Sequence, residues 1–180
     1  MRDFPPITKI LLAINVIIFI ANQAGALPYT VAYPGIYSIG TFLAHFSHES
    51  LWHLASNVIG IVIVSPILEQ NLGMKKYIGL IFFLWMAQVA ILPQVLTAPT
   101  LGFSGILMGL FTYLAMYLWW LGKENPLQQL GRDLLILVGI NIALPLMVPQ
   151  ISFMGHAIGA LLGLFAISVS EILQRHSPKR

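Results

Sequence analysis

Residues 101–121 read LGFSGILMGLFTYLAMYLWWL, 21 consecutive positions without a charged side chain. A helix of that length rises about 31 Å, which matches the ~30 Å hydrocarbon core of a bilayer. The stretch is therefore read as a membrane span. In lipid it must be helical, because a single segment satisfies its own backbone polar groups only as a helix. Five further apolar runs surround it, at 7–27, 51–68, 77–96, 134–148 and 151–172. Of the 180 residues, 58% are hydrophobic and 8% charged, and the mean hydropathy is +0.85; soluble domains carry about 25% charged residues. A water-soluble fold is excluded. Residues 1–180 read as one all-α, polytopic membrane domain, a bundle of six transmembrane helices with no internal repeat.

The nine basic residues set the orientation. They are Arg2 and Lys9, Lys75 and Lys76, Lys123 and Arg132, then Arg175, Lys179 and Arg180. They fall at the N-terminus, in every second connection and at the C-terminus, the positive-inside pattern for six helices with both termini cytoplasmic. Spread in this way, a net charge of +3 makes no basic patch, so no nucleic-acid partner is expected. The absence of cysteine excludes disulfides, cysteine nucleophiles and thiolate metal sites. The first run, with Arg2, Lys9 and Ala24-Gly25-Ala26, also fits a signal peptide, whose removal leaves five spans and the remaining charge pattern intact. The longest connection, 22–50, carries a single charge, Glu49, and is expected to lie in the membrane interface. The fifth run is short and bounded by Pro145 and Pro149, and is expected to be tilted or poorly packed at its outer end.

Ionisable groups inside spans are costly and point to function. Two fit that description, His53 early in the second run and His156 early in the sixth. Asn57 follows His53 by one helical turn, and Ser104 stands near the start of the fourth run in Gly102-Phe103-Ser104-Gly105. From these groups to the first inner-side charge there are 16 residues (His53 to Glu69), 19 (Ser104 to Lys123) and 15 (His156 to Glu171). At 1.5 Å per residue, all stand roughly 23 to 29 Å above the inner boundary, at one height just below the outer surface. Gly155, Gly159 and Gly163 form a G-x-x-x-G-x-x-x-G run, Gly105 and Gly109 repeat the spacing on the fourth run, and Gly60 shares a face with His53 and Asn57. Such glycines let helix backbones approach closely.

Taken alone, each group has a plainer reading: a serine in a membrane helix usually bonds its own backbone, and glycine pairs merely pack helices. Together they make a chemistry. A serine hydroxyl becomes a nucleophile when a neutral imidazole takes its proton, and the resulting oxyanion needs preorganised donors. Ser104 and His156 form a candidate dyad, and His53, Asn57 and the Ser104 amide are candidate oxyanion donors. No Asp or Glu accompanies them, so packing or backbone must orient the imidazole.

These motifs resemble those of the rhomboid intramembrane serine proteases: His53-x-x-x-Asn57, Gly102-x-Ser104-Gly105, His156-x-x-Gly159-x-x-x-Gly163, and a structural turn at Glu69-x-x-x-Gly73. The resemblance implies that Ser104 is the nucleophile, His156 its general base, and His53, Asn57 and the Ser104 amide the oxyanion hole. It also implies a water-filled cavity open to the outer side, cleavage of transmembrane segments of single-span proteins, and no metal or organic cofactor. The implied setting is a bacterial inner membrane, with the site opening to the extracytoplasmic side. Two features depart from the pattern. Met108 stands where many members carry an aromatic residue against the histidine, and the Trp-Arg pair found in the first outer loop of some bacterial members is missing between Asn22 and Ser50.

Three other readings are weaker. His48-Glu49-Ser50-Leu51-Trp52-His53 nearly matches the zinc-protease motif H-E-x-x-H, but the second histidine falls at i+5, about 140° around a helix from the first. A non-catalytic binder of membrane helices is expected to lack Ser104 or His156. A small transporter is disfavoured by the lack of buried charge pairs and paired broken helices. Hydrolysis also needs water and access. The stretch His45 to Glu49 is a candidate hydrated mouth or simply a solvated loop end. Substrate helices must unwind to expose a carbonyl, which favours Gly, Pro or small residues near their outer end. The connection 149–155 and the outer end of the fifth run are the candidate gate.

Overall fold

The computed structural model describes residues 4–28, 30–120, 126–148 and 152–176. The helices are α1 (Pro6–Gln23), a short α2 (Ile39–Leu43) running into a 3-10 turn (Ala44–Phe46), α3 (Leu51–Leu72), α4 (Met74–Val95), α5 (Ser104–Trp120), α6 (Gln128–Ala143) running into a 3-10 turn (Leu144–Leu146), and α7 (Phe153–His176). Among the described residues there is no β-strand, only an isolated bridge between Ala32 and Thr100. The segments Pro6–Gln23, Leu51–Leu72, Met74–Val95, Gln128–Leu146 and Phe153–Leu173 are long and apolar enough to cross a membrane, and Ser104–Trp120 is a shorter apolar helix.

Each expected run is present, with its ends moved for local reasons. The run at 101–121 becomes helical only at Ser104, because Gly102 turns the chain with φ +114°. The run at 134–148 starts earlier, at Gln128, since the polar first turns of α6 do not register as apolar sequence. It ends at Ala143, where Pro145 interrupts the hydrogen-bond ladder. At its outer end Leu146 and Met147 are almost fully exposed, as expected of a loosely packed terminus. Residues 149–151 of the candidate gate lie outside the described residues.

Helix α5 is the axle of the bundle. From Gly105 to Ala115 every residue is buried, as befits a helix apolar all round. It packs chiefly on α7 and α6. The other long helices turn Ile, Leu, Val and Phe outward, among them Ile17, Ile59, Phe82, Ile136 and Phe165, as a lipid-facing surface requires. The α5–α7 contact is a glycine seam. A Cβ on Gly159 or Gly163 would run into the carbonyl of Gly105 or Gly109, and one on Gly109 would stand 3.0 Å from the Gly159 carbonyl.

At the opposite end of the bundle from Ser104, Glu69 is buried, though its sequence position suggested only a boundary charge. Its carboxylate accepts the backbone N–H groups of Ile7 (2.9 Å) and Thr8 (2.8 Å) and the Thr8 hydroxyl (2.9 Å), so it caps α1. Gly73, at φ +77°, ends α3 with its N–H on the Glu69 carbonyl, which gives the expected Glu69-x-x-x-Gly73 turn.

Candidate active site

Ser104 is the first residue of α5, so its amide belongs to the turn whose N–H groups have no helical partner. Its side chain is half-buried. Next to it, a Cβ on Gly105 would stand 3.0 Å from the Gly155 carbonyl. Ser104 and His156 each lie one residue from that contact, so the glycine seam brings the starts of α5 and α7 together. The Ser104 hydroxyl makes no hydrogen bond among the described residues; in substrate-free sites such bonds often close only on binding.

His156 is buried, and its Nδ1 lies 2.8 Å from the Asn141 carbonyl on α6. A carbonyl only accepts, so Nδ1 carries the hydrogen and Nε2 of the neutral ring keeps its lone pair. This bond supplies the orientation that an acid or an aromatic residue would otherwise give. Met108, at the aromatic position, is buried in the core instead.

His53 is placed by Ser50, whose hydroxyl accepts its N–H at 3.2 Å and caps α3. The imidazole lies against Gly102, where a Cβ would stand 2.6 Å from Nε2. Asn57 is buried and gives one amide hydrogen to the His53 carbonyl (2.8 Å), leaving its second unassigned. All four sequence candidates thus converge on one end of α3, α5 and α7.

Beside Ser104 is a pocket of about 10 Å³, lined among others by Gln88, His45, Gly105, Ser152 and Gly155. That is about the smallest space that admits one water molecule, so it has room for a water and none for a peptide. Gln88 was not singled out in the sequence. It is fully buried, neither amide atom is hydrogen-bonded among the described residues, and a Cβ on Gly105 would strike its Oε1. A glutamine midway along an apolar run was the available signal. Of the candidate mouth, His45 does line the pocket. His48 instead lies buried under His53, the rings edge to face at 5.0 Å, while Glu49 is exposed. Burial thus overturns the reading of both histidines as solvated loop-end residues.

The connection before α3 is pinned without the Trp-Arg pair. Trp85 Nε1 donates to the Phe42 carbonyl (2.9 Å), Tyr37 donates its hydroxyl to the Ala90 carbonyl (2.9 Å), and the Gly102 N–H meets the Ala44 carbonyl (2.8 Å). Its outer face shows Tyr33, Ile36, Tyr37, Ile39, Phe42 and Leu43, apolar enough for a membrane interface.

The rhomboid domain family model matches residues 37–170, a span that holds His53, Asn57, Ser104 and His156. The chain belongs to the rhomboid family. Rhomboids are intramembrane serine proteases, in keeping with a multi-pass membrane protein built from apolar helices. A search of curated proteins returned no match to this rhomboid. The match takes in α3 to α6 and most of α7, so its core is the same glycine-seamed unit that carries Ser104 and His156.

Proposed function

We propose that this rhomboid is a serine endopeptidase that cleaves transmembrane segments of single-span membrane proteins near the outer leaflet, through a Ser104–His156 dyad and an acyl-enzyme. The observation that carries the reading is the Asn141–His156 bond, which leaves Nε2 as a base at the start of α7, beside the start of α5. Ser104 Oγ attacks the scissile carbonyl carbon as Nε2 takes its proton. The carbonyl oxygen becomes an oxyanion held by the Ser104 N–H, the His53 ring N–H and the free Asn57 amide hydrogen. Collapse breaks the C–N bond, and Nε2–H gives its proton to the leaving amine. Water from the pocket by Gln88 and His45 then loses a proton to Nε2 and attacks the acyl carbon. Ser104 regains its proton as the carboxyl product leaves.

Six spans, cytoplasmic termini and a site facing the extracytoplasmic side of a bacterial inner membrane complete the proposal, on the alternation of basic residues. Substrates reach the site laterally from the bilayer at the outer end of α6, which rests chiefly on α5. Substrates with helix-breaking residues near that depth are favoured. The test is cleavage of a single-span substrate in detergent by wild type, Ser104→Ala and His156→Ala, with fluorophosphonate labelling in parallel. Loss of cleavage by at least ~10³-fold and loss of labelling are expected of both variants. Full activity of Ser104→Ala would sink the dyad.

A further inference from the structure

We propose that Pro145 is a positioning residue for the base of this site: having no amide hydrogen, it frees the Asn141 carbonyl to hold His156. The inference rests on the proposed role of His156. In α6 each carbonyl accepts the N–H four residues on, and the Leu144 N–H still bonds the Ile140 carbonyl. Leu144 keeps helical angles, φ −53° and ψ −40°, so the next nitrogen arrives where it would meet the Asn141 carbonyl. That nitrogen belongs to Pro145, which has no hydrogen to give. A proline ring also crowds the carbonyl four residues back and turns it away from the helix axis.

The Asn141 oxygen instead accepts Nδ1–H of His156, fifteen residues along and on another helix, at 2.8 Å. Pro145 is buried, and the chain leaves it through a 3-10 turn in which the Met147 N–H bonds the Leu144 carbonyl at 2.9 Å. The proline thus ends α6 where the Asn141 carbonyl can serve the site. An amide hydrogen at position 145 draws that oxygen back along the helix axis, and Nδ1–H loses its acceptor. The imidazole is then free to rotate or to place its hydrogen on Nε2, the tautomer that cannot accept the Ser104 proton.

The experiment separates the missing hydrogen from the ring. Pro145→Ala restores the N–H, whereas Pro145→lactic acid, introduced as a backbone ester, restores neither N–H nor ring. Nitrogen chemical shifts of His156 in micelles report the tautomer without any turnover, and fluorophosphonate labelling of Ser104 reports the dyad. Wild type and the ester are expected to show Nδ1–H and labelling rates within about twofold of each other. Pro145→Ala is expected to place a substantial share of the hydrogen on Nε2 and to label about tenfold more slowly. Equal behaviour of the alanine and ester variants, whether both impaired or both intact, overturns the proposal. If the shifts move as expected while Ser104→Ala still cleaves substrate, the protease reading fails and the proline's control of the imidazole stands.

Discussion

The His53 imidazole is seated on Gly102: a methyl group on that glycine would stand 2.6 Å from Nε2 and 2.7 Å from Cε1. The same glycine has φ +114° and bonds its N–H to the Ala44 carbonyl at 2.8 Å, so it joins the α5 approach, the first connection and α3 at one point. Two independent costs fall on Gly102→Ala, a backbone that side chains rarely adopt and a displaced imidazole. Loss of one oxyanion donor typically costs about 10²-fold in kcat. We expect a kcat loss of that size in substrate cleavage, with a smaller change in KM. A Gly102→Ala enzyme within threefold of wild type would separate His53 from the oxyanion hole.

The α5–α7 seam makes a second pair of expectations. In Gly159→Ala the added methyl meets the Gly105 carbonyl, a backbone atom that cannot swing aside. The helices must part, at a cost of about 1–3 kcal/mol in stability, and a shift of about 1 Å between nucleophile and base costs on the order of 10²-fold in rate. Gly139→Ala on α6 is the control, since its Cβ meets nothing within 4 Å. It should leave cleavage unchanged and raise stability by up to about 1 kcal/mol through helix propensity. Unfolding in mixed micelles and a cleavage assay read both.

Much of this arrangement was legible in the sequence because membrane physics writes it there. Spans must be apolar and helical, so their runs show. Polar groups inside them stand out against that background, and Gly155, Gly159 and Gly163 announce a close approach by spacing alone. What holds His156 did not show, because its partner is the backbone of Asn141 and carbonyls leave no mark in a sequence. Pro145 was visible as a helix end but not as the reason a carbonyl is free. Gln88 was visible as a polar residue in an apolar run, but its place beside Ser104 was not, since that depends on how α4 leans on α5. The burial of Glu69 has no mark in the sequence either, because an acid at a span end reads as a solvated boundary until α1 closes over it.

That carboxylate yields a prediction of its own. Glu69→Ala leaves the N–H groups of Ile7 and Thr8 without their acceptor at the start of α1, and Thr8 is fully buried. Each unsatisfied donor costs about 1–3 kcal/mol, so the variant should lose about 3 kcal/mol or more. Glu69→Gln retains one acceptor oxygen and should lose roughly half as much. Because Glu69 is remote from Ser104, fluorophosphonate labelling of the folded fraction should match wild type in both. Undiminished stability of Glu69→Ala would mean that α1 needs no cap from α3.

Acid should unfold the protein through two histidines outside the proposed dyad and oxyanion hole. His45 and His48 lie before α3, and His45 is 3% and His48 0% exposed. Among the described residues, Nε2 of His45 and both ring nitrogens of His48 lack hydrogen-bond partners. Burial pushes each down to about 4 from the usual 6.5. For His48 the neighbouring His53 adds to the lowering, and the Phe46 backbone, near the ring but outside hydrogen-bond geometry, opposes it. Between about pH 6.5 and 4 the unfolded chain therefore binds protons that the folded chain refuses, and stability falls as pH falls through that window. Each histidine contributes at most about 1.4 kcal/mol per pH unit there. Above pH 6.5 neither contributes a slope. Unfolding curves between pH 7.5 and 4.5 should show this loss, and His45→Gln should flatten it by up to one proton while leaving the plateau above pH 6.5 level. A wild-type protein as stable at pH 5 as at pH 7.5 would place both rings in contact with water.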